Sequence, residues 1–239
     1  ERRYACATAA ADGSYGSPLK RGQHHAHLQR RFVAALAQPT PGGSAADAAT
    51  QEASRLAELK STWSLITELR EDRSAVVDRM GSAALHAEAA ERYGVEVASY
   101  QTLISLMLSS QTKDTVTAET IYGLREHGLT VESISNTDDE ALTDLISKVG
   151  FRNRKTDFIK RATEIIREEH LGRVPSTLPE LLALPGVGPK MAIIYLEVVH
   201  DEVVGISVDT HVHRLSNALG WCATKTPEQT RKSLESWVP

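Results

Sequence analysis

Between two apolar stretches of this chain stands Leu184-Pro185-Gly186-Val187-Gly188-Pro189-Lys190. Few backbones accept such a run. Pro185 stops a helix, two glycines permit a turn with φ > 0, and Pro189 suits the first position of a new helix. The run therefore predicts a short helix over 178–184, a tight turn, and a second helix from Pro189 to about His200. Such a turn leaves backbone N–H groups beside a helix N-terminus, where the helix dipole favours an anion such as a phosphate. Lys190 falls in the first turn of the second helix, at the end of the dipole where an ammonium is disfavoured. That placement favours the neutral amine, the nucleophilic form of lysine; a solvated helix lysine is the competing reading. Eighteen residues later begins Val208-Asp209-Thr210-His211, in which Asp209 or Thr210 suits a helix N-cap.

The rest of the chain reads as all-α. Aromatic residues are only 5% of the 239, and few segments alternate apolar and polar residues as strands do. No apolar run reaches the length of about eighteen residues that a transmembrane helix needs. Two cysteines, Cys6 and Cys222, cannot build a disulfide framework, and Cys222 reads as a small core residue. The net charge of −4 argues against strong non-specific attraction to a polyanion. The basic side chains Arg2, Arg3, Lys20, Arg21, Arg30 and Arg31 face only Glu1 and Asp12 over residues 1–46, so the remainder is more acidic still. Residues 1–51, rich in Ala, Gly, Ser and Pro, read as a disordered tail and a possible transit peptide. His24, His25 and His27 are its weak candidate for metal binding.

Ordered helices are expected from about Glu52 to Arg70, with Leu56, Leu59, Trp63 and Ile66 at helical spacing, and over about 82–92. The nearly continuous apolar run from Tyr100 to Leu108 predicts a buried central helix. Thr112 is the expected cap of a helix from Lys113 to His127 that closes at Gly128, and Thr137 with Glu140 the expected capping box of the next, to about Lys148. Gly150-Phe151 is a turn with an apolar tip. The following helix carries Phe158, Ile159, Ala162, Ile165 and Ile166 on one face and ends at Gly172. Two further helices are expected, one running through Val212, Leu215 and Leu219 to stop at Gly220, the other opened by Thr226, Pro227 and Gln229.

The blocks LMLSSQTKD (106–114), KVGFRNRK (148–155), LPGVGPKMA (184–192) and VDTHVHRL (208–215) together resemble the endonuclease III family of helix-hairpin-helix DNA glycosylases in its eukaryotic form, from about Trp63 to Pro239. The resemblance implies a helical barrel domain over 96–202, holding the hairpin, and a discontinuous second helical domain built from 52–95 and 203–239. It implies excision of oxidised pyrimidines from duplex DNA, followed by strand cleavage at the abasic site. Lys190 matches the family's nucleophile and Asp209 its essential carboxylate. Gln111 matches a glutamine that fills the gap left by the extruded base, and Phe151 takes the place of an apolar wedge. Their competing readings are a turn amide and an ordinary core phenylalanine. Gly186, Val187, Gly188 and Pro189 would face DNA, and the carbonyls of Leu182, Leu184 and Val187 would hold a monovalent cation.

A [4Fe–4S] cluster is expected for the full-length family, but its four cysteine ligands would lie downstream of Trp237-Val238-Pro239, and this chain supplies no cofactor ligands of its own. The chain is accordingly expected to lack the end of its second domain and to be poorly active as it stands. The other readings are a catalytically weak DNA-binding module and an adenine-specific glycosylase of the same superfamily; the latter typically has no lysine at the position of Lys190. A monomer acting in the nucleus or mitochondrion, without membrane attachment, is the expected setting.

Overall fold

The computed structural model of the chain describes residues 45–238, with side chains described from residue 53 onward. The histidines at 24–27 and Cys6 lie outside the described residues. All regular elements among those residues are helices, as the patterning predicts. They are α1 (Ala45–Leu69), α2 (Val76–Met80), α3 (Ser82–Tyr93), α4 (Val95–Ser109), α5 (Asp114–His127) and α6 (Val131–Asn136), followed by α7 (Asp139–Leu145), α8 (Arg152–Glu169), α9 (Leu178–Ala183), α10 (Pro189–His200), α11 (Thr210–Ala218) and α12 (Pro227–Glu235).

Helix α4 is the centre of the core. Every side chain from Tyr100 to Leu108 is buried, because α3, α5, α8 and α10 pack around it. Burying an aliphatic side chain stabilises the fold by about 1.5–3 kcal/mol relative to leaving it in water, so this one helix organises the packing. Its polar members are satisfied internally: Tyr100 bonds the Thr163 hydroxyl on α8 at 2.6 Å, and Arg125 on α5 donates to Gln101 Oε1 at 2.8 Å. Helix α8 buries Ile159, Ala162 and Ile166 completely, with Phe158 and Ile165 packed partly against the same core. Gly128, Gly172 and Gly220 all take positive φ where α5, α8 and α11 close, as expected of C-terminal glycines.

Several local expectations are corrected. Helix α1 begins at Ala45, earlier than Glu52. The cap of α5 is Lys113, without a side-chain bond. Thr112 instead donates to Ser110 O and accepts from Lys155. Asp138, not Thr137, caps α7 by accepting from Ala141 N–H at 2.9 Å. Thr137 is occupied by Ser133 O and His127, and α7 ends at Leu145 rather than Lys148. Two short helices, α2 and α6, were not anticipated: α2 opens on two β-branched valines without a side-chain cap, and α6 lasts less than two turns although Thr130 caps it.

Helix α1 meets the last of the described residues. From α1, Arg55 donates to Trp221 O at 3.2 Å and stacks 4.5 Å from the centre of the Trp237 ring. Residues 203–208 return from α10 towards α11. A Cβ on Gly205 would touch both Glu235 on α12 and Ile193 on α10, so this returning segment is wedged between the hairpin's second helix and the C-terminal helix. It delivers Asp209 to the start of α10.

Candidate active site

The hairpin has the expected form with one change. Gly186 turns with φ +81°, but Gly188 is extended (φ −106°, ψ 172°) as the N-cap of α10, so only the first glycine uses a backbone region closed to other residues. Gly186 is required twice over. A Cβ there would lie 2.7–2.8 Å from the ring and Cβ of Phe158, so the hairpin turn sits directly on α8. Val187 is buried and donates its N–H to Leu184 O at 3.2 Å, which removes it from the free donors. The N–H groups of Gly186, Gly188 and Lys190 have no partner among the described residues and stand at the positive end of α10.

Pro189 is the first residue of α10 and Lys190 the second. The Lys190 ammonium lies 3.5 Å from Asp209 Oδ2, with its side chain 45% exposed. Asp209 caps α11, its Oδ1 accepting from His211 N–H at 2.9 Å and Val212 N–H at 2.8 Å. Burial opposes its charge, but the bonds from Val212 and His211 and the charge of Lys190 prevail and hold the carboxyl below the usual carboxylate range. One oxygen is thus committed to the helix while the other faces the amine. The cap fixes the carboxylate where a cation on Lys190, or one developing on a substrate beside it, is stabilised.

The other candidates gather in a second place. Phe151 is the N-cap of α8 with φ 59° and is 66% exposed, which excludes the core reading. Gln111 is exposed, with φ 52°. A non-glycine residue in the left-handed region costs of order 1–3 kcal/mol and persists only where its surroundings enforce it. The two turns touch: a Cβ on Gly150 would lie 3.2 Å from Gln111 O. Between them opens a cleft of about 290 Å³ lined by Gln111, Phe151, Arg154, Lys155, Phe158 and Gly186, among others. A more open hollow of about 490 Å³ also borders Phe151, against Ser147, Val149 and Arg152 to Arg154. Phe151 borders both hollows.

Two residues escaped the sequence reading. Lys155 is 6% exposed and donates to Leu108 O and Ser110 O at 2.7 Å each and to Thr112 Oγ1 at 3.2 Å. One turn later Lys160 donates to Ile134 O, Ser135 O and Thr137 O. The signal for Lys155 was its place on the apolar stripe of α8, four residues before Ile159 and seven before Ala162.

The described residues do not suit an iron–sulfur cluster. Cys222 is buried, with Thr224 and Thr230 as its neighbours at 3.6 and 4.0 Å, and no group of metal-binding side chains is found among the described residues. No helix of the described residues is long and apolar enough to cross a membrane.

Residues 104–239 match the model of the HhH-GPD superfamily base excision DNA repair proteins. The chain is 43% identical over 225 residues to endonuclease III-like protein 1 of Bos taurus, covering 93% of this chain and 72% of that one. It is 49% identical over 173 residues to the protein of the same name in Mus musculus, covering 72% of this chain and 57% of the relative, so it spans little more than half of the mouse protein's length. Among solved structures, a non-covalent endonuclease III–DNA complex superposes with a TM-score of 0.54 at 30% identity, over 57% of this chain and 64% of that one. A trapped endonuclease III–DNA covalent intermediate superposes with a TM-score of 0.55 at 28% identity, over 65% and 76%. By the match over residues 104–239 and these relatives, the chain belongs to the endonuclease III family of the HhH-GPD superfamily of base excision DNA repair proteins.

Proposed function

We propose that this chain acts as a base excision repair DNA glycosylase that also cleaves abasic sites, removing oxidised pyrimidines from duplex DNA. The observation that carries the reading is the Lys190 amine 3.5 Å from Asp209, at the mouth of a turn with free N–H groups. A base must leave the stack before its sugar is accessible, at a cost of a few kcal/mol that damage reduces. Phe151 and Gln111 are placed to enter the duplex and hold the opening. The N–H groups of Gly186 and Gly188 take a backbone phosphate, with Val187 and Pro189 shaping the turn around it.

Neutral Lys190 then attacks C1′ of the sugar; the N–C1′ bond forms as the glycosidic bond breaks and its electron pair departs with the base. Asp209 stabilises the positive charge that develops between them. The new N–C1′ ammonium loses a proton, which the departing base anion takes up; the nitrogen lone pair so freed then expels the ring oxygen, which is protonated from solvent as the iminium forms. That electron sink acidifies a C2′ proton, whose loss breaks the C3′–O bond and releases the strand by β-elimination. The Arg55 contacts with the C-terminal segment support a discontinuous domain from 52–95 and 203–239 packed beside the hairpin domain of 96–202, with the catalytic pair at their junction. Carbonyls of Leu182, Leu184 and Val187 would seat a monovalent cation beneath the turn. A DNA substrate puts the work in the nucleus or an organelle.

The test is single-turnover incubation with duplex DNA carrying one thymine glycol. Release of the free base together with a β-elimination product is expected. Base release without strand cleavage would reduce the reading to a glycosylase, and tight binding with no release would leave a DNA-binding module.

A further inference from the structure

The first two turns of α8 connect three parts of the site. Phe151 stands at its N-cap, Phe158 carries the hairpin at Gly186, and between them Lys155 reaches back to the end of α4. The three oxygens that Lys155 holds bracket Gln111: Ser110 O precedes it, Thr112 Oγ1 follows it, and Leu108 O belongs to the last turn of α4. Gln111 is held in a left-handed conformation that its own side chain disfavours. A glutamine there needs an external restraint, and the side chain that spans it on both sides is Lys155. The ammonium also lies where the C-terminal carbonyls of α4 favour a cation.

We propose that Lys155 is a positioning residue for base extrusion: it holds the loop 110–113 so that Gln111 stands opposite Phe151, and it does not touch the reacting atoms. The inference rests on the glycosylase reading given above. Only the protonated side chain can serve, because an ammonium has three donors for three oxygens whereas a neutral amine has two and turns its lone pair on the third. The charged residues nearest in sequence are Lys113 and Asp114 beyond the loop and Arg152, Arg154 and Asp157 on α8, and none is ion-paired with Lys155. Burial brings its pKa down to about 8. The ammonium is therefore present at pH 7 and lost as pH rises through that value.

The experiment uses the full chain and duplex DNA with a tetrahydrofuran abasic analogue beside 2-aminopurine, whose fluorescence rises when the helix is opened. No chemistry is needed, so a failure of Lys190 to act would not mask the result. Lys155→Met is expected to lower the fluorescence rise, and single-turnover excision where excision occurs, by about tenfold or more. Gln111→Ala should do much the same, and the double variant should be little worse than either, since both remove one device. In the wild type the signal should decline as pH rises past about 8, and Lys155→Arg, which keeps its charge, should restore the signal at pH 9. If Lys155→Met melts too low to be assayed, the wild-type pH profile and the arginine variant decide. Wild-type opening in Lys155→Met, losses that multiply with Gln111→Ala, or a pH profile flat to pH 9 would each overturn the proposal. Absence of excision by a wild type that opens the helix normally would instead count against the catalytic reading.

Discussion

Placing one methyl group on each hairpin glycine separates what the turn needs for folding from what it needs for DNA. At Gly186 the backbone lies at φ +81°, which costs an L-residue roughly 1–2 kcal/mol. The new Cβ would also lie 2.7 Å from the Phe158 ring. Phe158 is packed against the core, so it cannot swing clear without disturbing α8, and overpacking of this kind costs about 1–3 kcal/mol. Gly186→Ala is therefore expected to destabilise the protein by about 2–5 kcal/mol, with each kcal/mol lowering the melting temperature of a chain this size by roughly 2–4 °C. At Gly188 the backbone is extended and a Cβ would have nothing within 4 Å. Gly188→Ala should leave stability within about 1 kcal/mol of wild type, or raise it slightly by restricting the unfolded chain. It should still weaken duplex binding equally for all sequences, because phosphate contacts carry no base information directly. Urea unfolding and binding titrations on both variants check this. Equal stability of Gly186→Ala and wild type would refute the packing argument, and unchanged binding by Gly188→Ala would remove the turn from the DNA face.

Further outcomes concern single side chains. Phe151→Ala, at a 66% exposed position, should change stability by no more than about 0.5 kcal/mol while sharply reducing helix opening by the 2-aminopurine assay; a large loss of stability would make Phe151 structural. Asp209→Asn keeps a good N-cap and should melt near wild type, whereas Asp209→Ala should lose about 0.5–2 kcal/mol, and both should fail in excision. Because the Asp209 pKa is depressed in the folded state, its charge stabilises the fold above its unfolded value of about 3.9, and that share is lost as pH falls through the lower folded value. Asp209→Asn should remove this acid dependence, as acid-unfolding curves compared with wild type would show.

The parts of the fold that the sequence made legible are those governed by local rules. The apolar run 100–108, the closing glycines 128, 172 and 220, and the caps at Asp209 and Thr226 all depend on a few neighbouring residues, and the structure has them where expected. Thr112 and Thr137 were misread because both hydroxyls are taken by partners that a capping rule does not see, Lys155 in one case and His127 with Ser133 O in the other. The pairing of Lys190 with Asp209 was available only through family resemblance, since it depends on residues 203–208 folding back along α10. The burial of Lys155 follows from its place on the buried stripe of α8, four residues before Ile159, but its three acceptor oxygens come from the distant turn after α4. The exposure of Phe151 depends on a turn whose geometry no periodicity reveals.

The central claim is that the Lys190 amine forms a covalent bond to the sugar. Borohydride reduction during reaction with duplex DNA containing an abasic site measures it most directly, with peptide mapping of the adduct by mass spectrometry. The expected result is a protein–DNA adduct on Lys190, absent from Lys190→Gln, which should still bind the duplex. An adduct on another residue, or one formed equally by Lys190→Gln, would contradict the account.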